Sequence, residues 1–300
     1  MTPAIRNIRA RLGQSYPFTS NFLDMDGLAY HYVDEGQGAP VVMVHGNPTW
    51  SFYFRHLIKG LAQEFRCVAP DHMGCGLSSK PDDNAYTFTL DSRVADFGCL
   101  MDHLELTGIH LVVHDWGGMI GLAWAMGHLD RIASVTITNT AGFFPPGEKR
   151  IPLRLRLIRN LAPFAVPAVL GLNAFARGAV WMAPKKPLAP EARRGLLAPY
   201  DCPRHRLATL RFVQDIPLFP EDPGYATVAR VSARLDRLKE RPLLLLWGKH
   251  DFVCDTDSYN EWRRRFPKAS ARLFSDAGHY LFEDQPERTT AMVRSFLDTA

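Results

Sequence analysis

Asp115-Trp116-Gly117-Gly118, set directly after the apolar run Leu111-Val112-Val113, decides the fold. The combination reads as a strand ending in a sharp turn that opens into a helix beginning near Met119. Such a turn presents one carboxylate at the C-terminal end of a strand, where ligands bind in open α/β sheets. With an unperturbed pKa of about 3.9, that carboxylate is ionised at neutral pH. It can displace a leaving group from carbon, or open a strained ring, without prior deprotonation.

The flanking sequence repeats the strand–turn–helix theme. Residues 28–33 and 40–44 are strand-like runs separated by Glu35-Gly36-Gln37-Gly38. A helix over 51–64 follows, with Phe54, Leu57, Ile58 and Leu61 at helical spacing, then a strand over 66–70 and a helix over 91–106. Residues 132–137, 242–247 and 271–274 are further strands, and 286–299 is a closing helix. This alternation implies right-handed crossovers and an α/β fold with a mostly parallel, doubly wound sheet. It stops near Gly142 and resumes at Pro242, with many Pro and Arg residues and no strand pattern between. The expected organisation is therefore a core in two parts, 1–141 and 242–300, with an inserted helical lid over 142–241.

Composition bounds the function. Three hundred residues, 46% hydrophobic, suffice for one large core. The net charge of +4 is modest and local, with Arg6, Arg9 and Arg11 in an N-terminal arm and Lys149, Arg150, Arg154, Arg156 and Arg159 in a second cluster. No aromatic-interleaved basic stripe points to nucleic acid. The five cysteines are scattered without C-x-x-C spacing, which argues against a disulfide framework or a zinc site and for a reducing cytoplasm. The N-terminus lacks an apolar stretch resembling a secretory signal. The apolar stretch 161–183 is interrupted by Pro163, Pro167, Gly171 and Arg177, so it makes a poor spanning helix. No cofactor or metal is expected.

Three chemically matched residues follow three different strands. Asp115 follows the central strand, Asp251 the 242–247 strand, and His279 the last one. Nucleophile, acid, histidine is also the chain order of hydrolases whose nucleophile is the Ser of G-x-S-x-G. A histidine accepts or holds a proton near Asp115, and a buried carboxylate orients its ring. The loop His45-Gly46-Asn47-Pro48-Thr49-Trp50 lies between a strand and a helix, so backbone N–H groups near Asn47 and at Trp116 can face developing negative charge. The Asn47 amide and the Trp116 indole add side-chain donors suited to a halide or a carboxylate. Simpler roles compete with each assignment. Asp115 or Asp251 could cap a helix, His279 could be a satisfied core histidine, Asn47 could only brace its loop, and Trp116 could pack the lid. His45 and His114 read as structural neighbours, and Asp71-His72-Met73-Gly74-Cys75-Gly76 as a turn after a strand.

His45-Gly-Asn-Pro-Thr-Trp-Ser51, His114-Asp-Trp-Gly-Gly118, Asp251 and His279 resemble the haloalkane dehalogenase branch of the α/β-hydrolase superfamily, over roughly 17–140 and 242–300. Pro70-Asp-His-Met-Gly-Cys-Gly-Leu-Ser78, Leu111 to Ile120 and Arg211-Phe-Val-Gln-Asp-Ile-Pro-Leu218 resemble, more narrowly, the β-lactone decarboxylases of bacterial long-chain olefin biosynthesis. The resemblance implies conversion of a cis-3,4-dialkyl β-lactone to a cis-alkene and carbon dioxide, with Asp115 as nucleophile and Asn47 and Trp116 holding the developing carboxylate. It also implies a long-chain substrate and an assembly with the β-lactone synthetase of the same pathway. The alternative is haloalkane hydrolysis through an aspartyl ester. An epoxide hydrolase, with Tyr200 and Tyr225 as candidate lid tyrosines, and a non-catalytic receptor or scaffold are further readings.

The lid suits a greasy substrate, since 151–161 alternates Leu or Ile with Arg and 164–181 is rich in Leu, Val, Phe and Ala. One reading is an apolar tunnel for two alkyl chains, with the arginines in peripheral contact with anionic headgroups at the inner membrane face. The other is ordinary lid packing with solvated arginines.

Overall fold

The computed structural model of the chain describes residues 3–147 and 151–300, with side chains described from Ile8 onward. Lys149 and Arg150 of the second basic cluster, and the Arg6 side chain of the first, lie outside the described residues. The strands are β1 Asn21–Met25, β2 Leu28–Glu35, β3 Pro40–Val44, β4 Arg66–Pro70, β5 Ile109–His114, β6 Ile132–Thr138, β7 Leu243–Gly248 and β8 Ser270–Phe274. They form one eight-stranded sheet in the order β1-β2-β4-β3-β5-β6-β7-β8. β2 pairs antiparallel with both β1 and β4, and every other neighbouring pair is parallel.

The central strands of the sheet are buried on both faces, as continuous apolar strands require. Every residue of β5 and of β7 is buried. Side chains alternate between two cores: Val42, Val44, Leu111 and Val113 pack on one face, and Val41, Met43 and Val112 on the other. The chain passes from β3 outward to β4, then crosses back to place β5 on the other side of β3. That reversal leaves a crevice between the C-terminal ends of β3 and β5, the position where open α/β sheets bind ligands. The loop carrying Asn47 leaves β3 there, and Asp115 ends β5.

The structure departs from the sequence reading at three elements. The helix after Asp115 spans Trp116–Ala125, so it starts at the very next residue and not near Met119. Gly117 does not delay it. A Cβ at Gly117 would collide with the Val44 carbonyl, so that glycine is there for close packing of helix against strand. The 51–64 helix is a 3-10 turn, Ser51–Phe54, followed by a short α-helix, Arg55–Leu61. β1 was not anticipated, because Asn-Phe-Leu-Asp-Met has neither β-branched residues nor clean alternation, and edge pairing with β2 supplies its order. Between β6 and β7 the described residues form helices and no strand.

Candidate active site

The turn at Asp115 is strained. Its φ of 50° and ψ of −126° are unusual for a residue with a side chain, a conformation that costs on the order of 1–3 kcal/mol. Asp115 occupies the N-cap position of the Trp116–Ala125 helix yet makes no side-chain capping bond, which removes the capping reading. Its carboxylate turns instead toward the β3 loop, where the Asn47 backbone N–H donates to Oδ2 at 2.8 Å. Gly46 leaves room for this, since a Cβ there would strike the same oxygen.

Asp251, after β7, and His279, after β8, converge on Asp115. His279 Nδ1 lies 2.7 Å from Asp251 Oδ2, and Nε2 lies 3.8 Å from Asp115 Oδ1. Asp251 is 4% exposed, and its Oδ1 accepts from the backbone N–H groups of Val253 and Cys254 at 2.6 and 3.0 Å. It caps no helix. Asp255 caps the Thr256–Arg265 helix by accepting from Asp257 and Ser258. Asn139, directly after β6, donates from Nδ2 to Asp251 Oδ2 at 2.8 Å. Its Oδ1 accepts from the Gly248 N–H at 2.9 Å, so both ends of the amide are fixed. Asn139→Ala deprives the buried Asp251 of one donor and Gly248 of its acceptor. Urea unfolding should show a loss of about 1–3 kcal/mol.

The charges balance in a definite way. Burial alone would lower the pKa of His279, but the Asp251 charge and hydrogen bond, with Asp115 beyond, raise it to about 9. The two carboxylates thus favour the imidazolium form of His279 at neutral pH. Burial pushes the Asp115 carboxyl above its usual value, opposed by His279 and by the Asn47 and Trp116 backbone N–H groups. His114, whose ring lies 4.7 Å from that of His279 at a tilt of 43°, is held well below the usual histidine value by burial and by the His279 charge. His114 and His45 are both buried, and His45 Nε2 accepts from the His72 N–H.

Asn47 and Trp116 are more constrained than their sequence suggested. One Asn47 Nδ2 hydrogen is committed to the Thr209 carbonyl at 3.0 Å, which ties the β3 loop to the Leu207–Gln214 helix. The second amide hydrogen remains for the cavity that Asn47 lines. The Asn47 backbone N–H, expected to face a developing charge, already serves the carboxylate of Asp115. The Trp116 indole is braced by the edge of Phe212 at 5.2 Å, and Phe212 in turn lies under the buried Arg93 guanidinium at 3.7 Å. The indole N–H has no hydrogen-bond partner among the described residues.

Two cavities diverge from Asp115 and Trp116. One, of about 240 Å³, runs past Met119, Phe143, Leu155, Val228 and Ser258. The other, of about 350 Å³, runs past Leu157, Phe164, Ala168, Val169 and Phe175, with Asn47 and His279 at its inner end. Residues between β6 and β7 therefore roof both over the strand ends. Tyr200 and Tyr225 line neither: Tyr200 is 1% exposed, and Tyr225 stacks on Phe144. Among the described residues, Asp201, Cys202 and His205 form one group with metal-ligand spacing, and it lies outside both cavities.

A family model described as alpha/beta hydrolase fold matches residues 39–286. The chain is 44% identical over 283 residues to a cis-3-alkyl-4-alkyloxetan-2-one decarboxylase of Shewanella oneidensis, covering 94% of this chain and 89% of that protein. It is 42% identical to the protein of the same name from Xanthomonas campestris pv. campestris, covering 94% and 97%. Haloalkane dehalogenase 2 of Mycobacterium tuberculosis is 33% identical, covering 93% and 95%. The crystal structure of the haloalkane dehalogenase DatA from Agrobacterium tumefaciens C58 superposes with a TM-score of 0.83 at 28% identity, covering 96% and 98%. The chain belongs to the α/β hydrolase fold family, in the branch that holds both the alkyloxetanone decarboxylases and the haloalkane dehalogenases.

Proposed function

We infer that the protein decarboxylates cis-3-alkyl-4-alkyloxetan-2-ones, the β-lactones with two adjacent alkyl chains, to cis-alkenes and carbon dioxide. The relatives at 44% and 42% identity support the reaction. The structural observation that carries the reading is the pair of apolar cavities meeting at Asp115, one for each alkyl chain.

In the proposed path, Asp115 Oδ1 attacks the ring carbon bearing the lactone oxygen, with inversion. The C–O ring bond breaks and its electron pair leaves as a carboxylate, so an alkyl ester of Asp115 forms anti to that carboxylate. The bond from carbon to the carboxylate then breaks and its electrons form the C=C bond. The ester C–O bond breaks with them, returning the Asp115 carboxylate. Inversion followed by anti elimination leaves both alkyl groups on one side, and no water is consumed. Attack at the lactone carbonyl is disfavoured by the donor arrangement, because the Asn47 N–H that would stabilise a carbonyl oxyanion already holds Asp115 Oδ2. The donors left open, the second Asn47 amide hydrogen and the Trp116 indole N–H, suit the departing carboxylate.

The charge of His279 distinguishes this path from dehalogenation. Along the decarboxylation, one negative charge stays in the site, first on Asp115, then on the substrate, then on Asp115 again. His279 keeps its proton throughout. In dehalogenation the halide carries that charge away, and the neutral ester lowers the His279 pKa so that it can activate water. Competition between a long-chain cis-lactone and a long-chain bromoalkane tests the assignment. The lactone should show much the higher kcat/KM, and halide release matching lactone turnover would reverse the reading.

The two cavities predict separable chain-length limits. Ala168→Phe narrows the larger arm and Ser258→Phe the smaller. Each should cost roughly ten- to a hundredfold in kcat/KM toward lactones bearing a long chain on one particular ring carbon, and spare the regioisomer. Kinetics on a pair of lactones with unequal chains reads this out. If both variants reject the same regioisomer, the one-chain-per-arm assignment fails.

A further inference from the structure

The outer face of the segment between β6 and β7 is apolar where a soluble protein is ordinarily polar. Leu172 is 72% exposed, Trp181 63% and Phe164 59%, with Leu153, Leu161 and Met182 exposed beside them. Leu153, Phe164, Trp181 and Met182 lie on the Leu153–Asn160, Ala162–Val166 and Ala174–Met182 helices, while Leu161 caps the first of these and Leu172 follows the Pro167–Gly171 segment that leads to the last. Isolated exposed apolar residues need no explanation, but a contiguous patch of this kind marks an interaction surface.

The charge around the patch is one-sided. From Lys149 to Pro190 the sequence contains no Asp or Glu, and from Asn160 to Ala176 it contains no charge at all. Arg154, Arg156, Arg177, Lys185 and Lys186 flank the apolar stretch. Arg177 and Lys185 have no carboxylate partner among the described residues, and Lys186 reaches Asp276 only at 3.7 Å. Among the described residues no single helix is long and apolar enough to cross a membrane, and the 162–171 and 174–182 segments bend by 74° at their junction. Short apolar helices with a cationic rim suit a position in the interfacial plane of a bilayer. Leu157, Phe164 and Met182 are exposed and also line the larger cavity, so the patch and that cavity form one apolar surface.

We propose that this helical elbow docks on an anionic lipid bilayer, with Leu161, Phe164, Leu172 and Trp181 entering the acyl boundary and the flanking Arg and Lys residues on the headgroups. A dialkyl substrate dissolved in that bilayer then meets the cavity without crossing water. The docking itself does not depend on the reaction assigned above, and its test needs no substrate.

Vesicle co-sedimentation of the full chain tests it, with phosphatidylcholine vesicles made with and without phosphatidylglycerol. Binding should be strong with the anionic lipid, fall by tenfold or more without it, and weaken with rising salt. Leu161→Asp/Leu172→Asp, at two exposed positions outside both cavities, should lose binding by at least tenfold while keeping the wild-type Tm. Trp181 emission should shift to the blue on vesicles, and the shift should vanish in Trp181→Phe. Equal binding to neutral and anionic vesicles, or none to either, overturns the proposal. So does a lipid-free dimer that the Asp substitutions dissociate, because the patch would then be an interface between copies of this chain.

Discussion

Asp115→Asn should abolish alkene formation, lowering kcat by about 10⁴-fold or more, while the protein folds normally. The substitution keeps the shape of the side chain, so the Asn47 N–H can still find an oxygen acceptor. What it removes is the charge that attacks carbon. Burial raises the pKa of Asp115, so the folded protein bears a cost for keeping this carboxylate ionised. A neutral amide at the same place relieves part of that cost, and Tm should be equal to or above the wild-type value. Thermal unfolding alongside product analysis reads both halves. An inactive variant with a collapsed Tm would leave the loss attributable to misfolding and contradict the expectation.

His279→Gln should act differently on the two chemistries that the branch supports. On a lactone it should lower kcat by about 10²–10³-fold, because an imidazolium facing Asp115 is lost, yet alkene should still form and no adduct should persist. On a long-chain bromoalkane the same variant should stall after alkylation, since no base remains to activate water, and intact mass should show the alkyl ester. The pH profile carries a second signature. With the His279 pKa at about 9, decarboxylation should fall as pH rises through that value, and the limb should disappear in His279→Gln. The same raised pKa contributes to stability fully below the unfolded histidine value of about 6.5. That contribution is lost as pH rises through 9. A rate that rises across pH 9 would mean that neutral imidazole is the working form and that water is the nucleophile of a second step.

Most of what positions the site could be read from the chain because it is local. The buried runs of β5 and β7 are continuous apolar strings, and Asp115, Asp251 and His279 each stand just after a strand. What escaped reading is nonlocal. The Asn139 hydrogen bond to Asp251 spans 112 residues, and a buried amide leaves no pattern at that separation. The Asn47 amide is held by a backbone carbonyl at Thr209, and a carbonyl has no sequence signature at all. The Asn47 backbone N–H was expected to await a ligand's charge, but the strained turn brings Asp115's own oxygen to it first. The division of the cavity into two arms depends on how Phe143, Leu155 and Phe252 are placed around Trp116. Hydropathy could indicate only that the lid was greasy. Exposure of Leu172 and Trp181 separates an outward apolar face from ordinary packing, a distinction that composition alone does not make.

The most direct test of the central claim is gas chromatography with mass detection of the products from a single long-chain cis-3,4-dialkyl β-lactone. The account predicts the cis-alkene with one carbon fewer than the lactone, one carbon dioxide per turnover, and neither product with Asp115→Asn. A β-hydroxy acid as the main product, or an alkene formed equally well by Asp115→Asn, would contradict it.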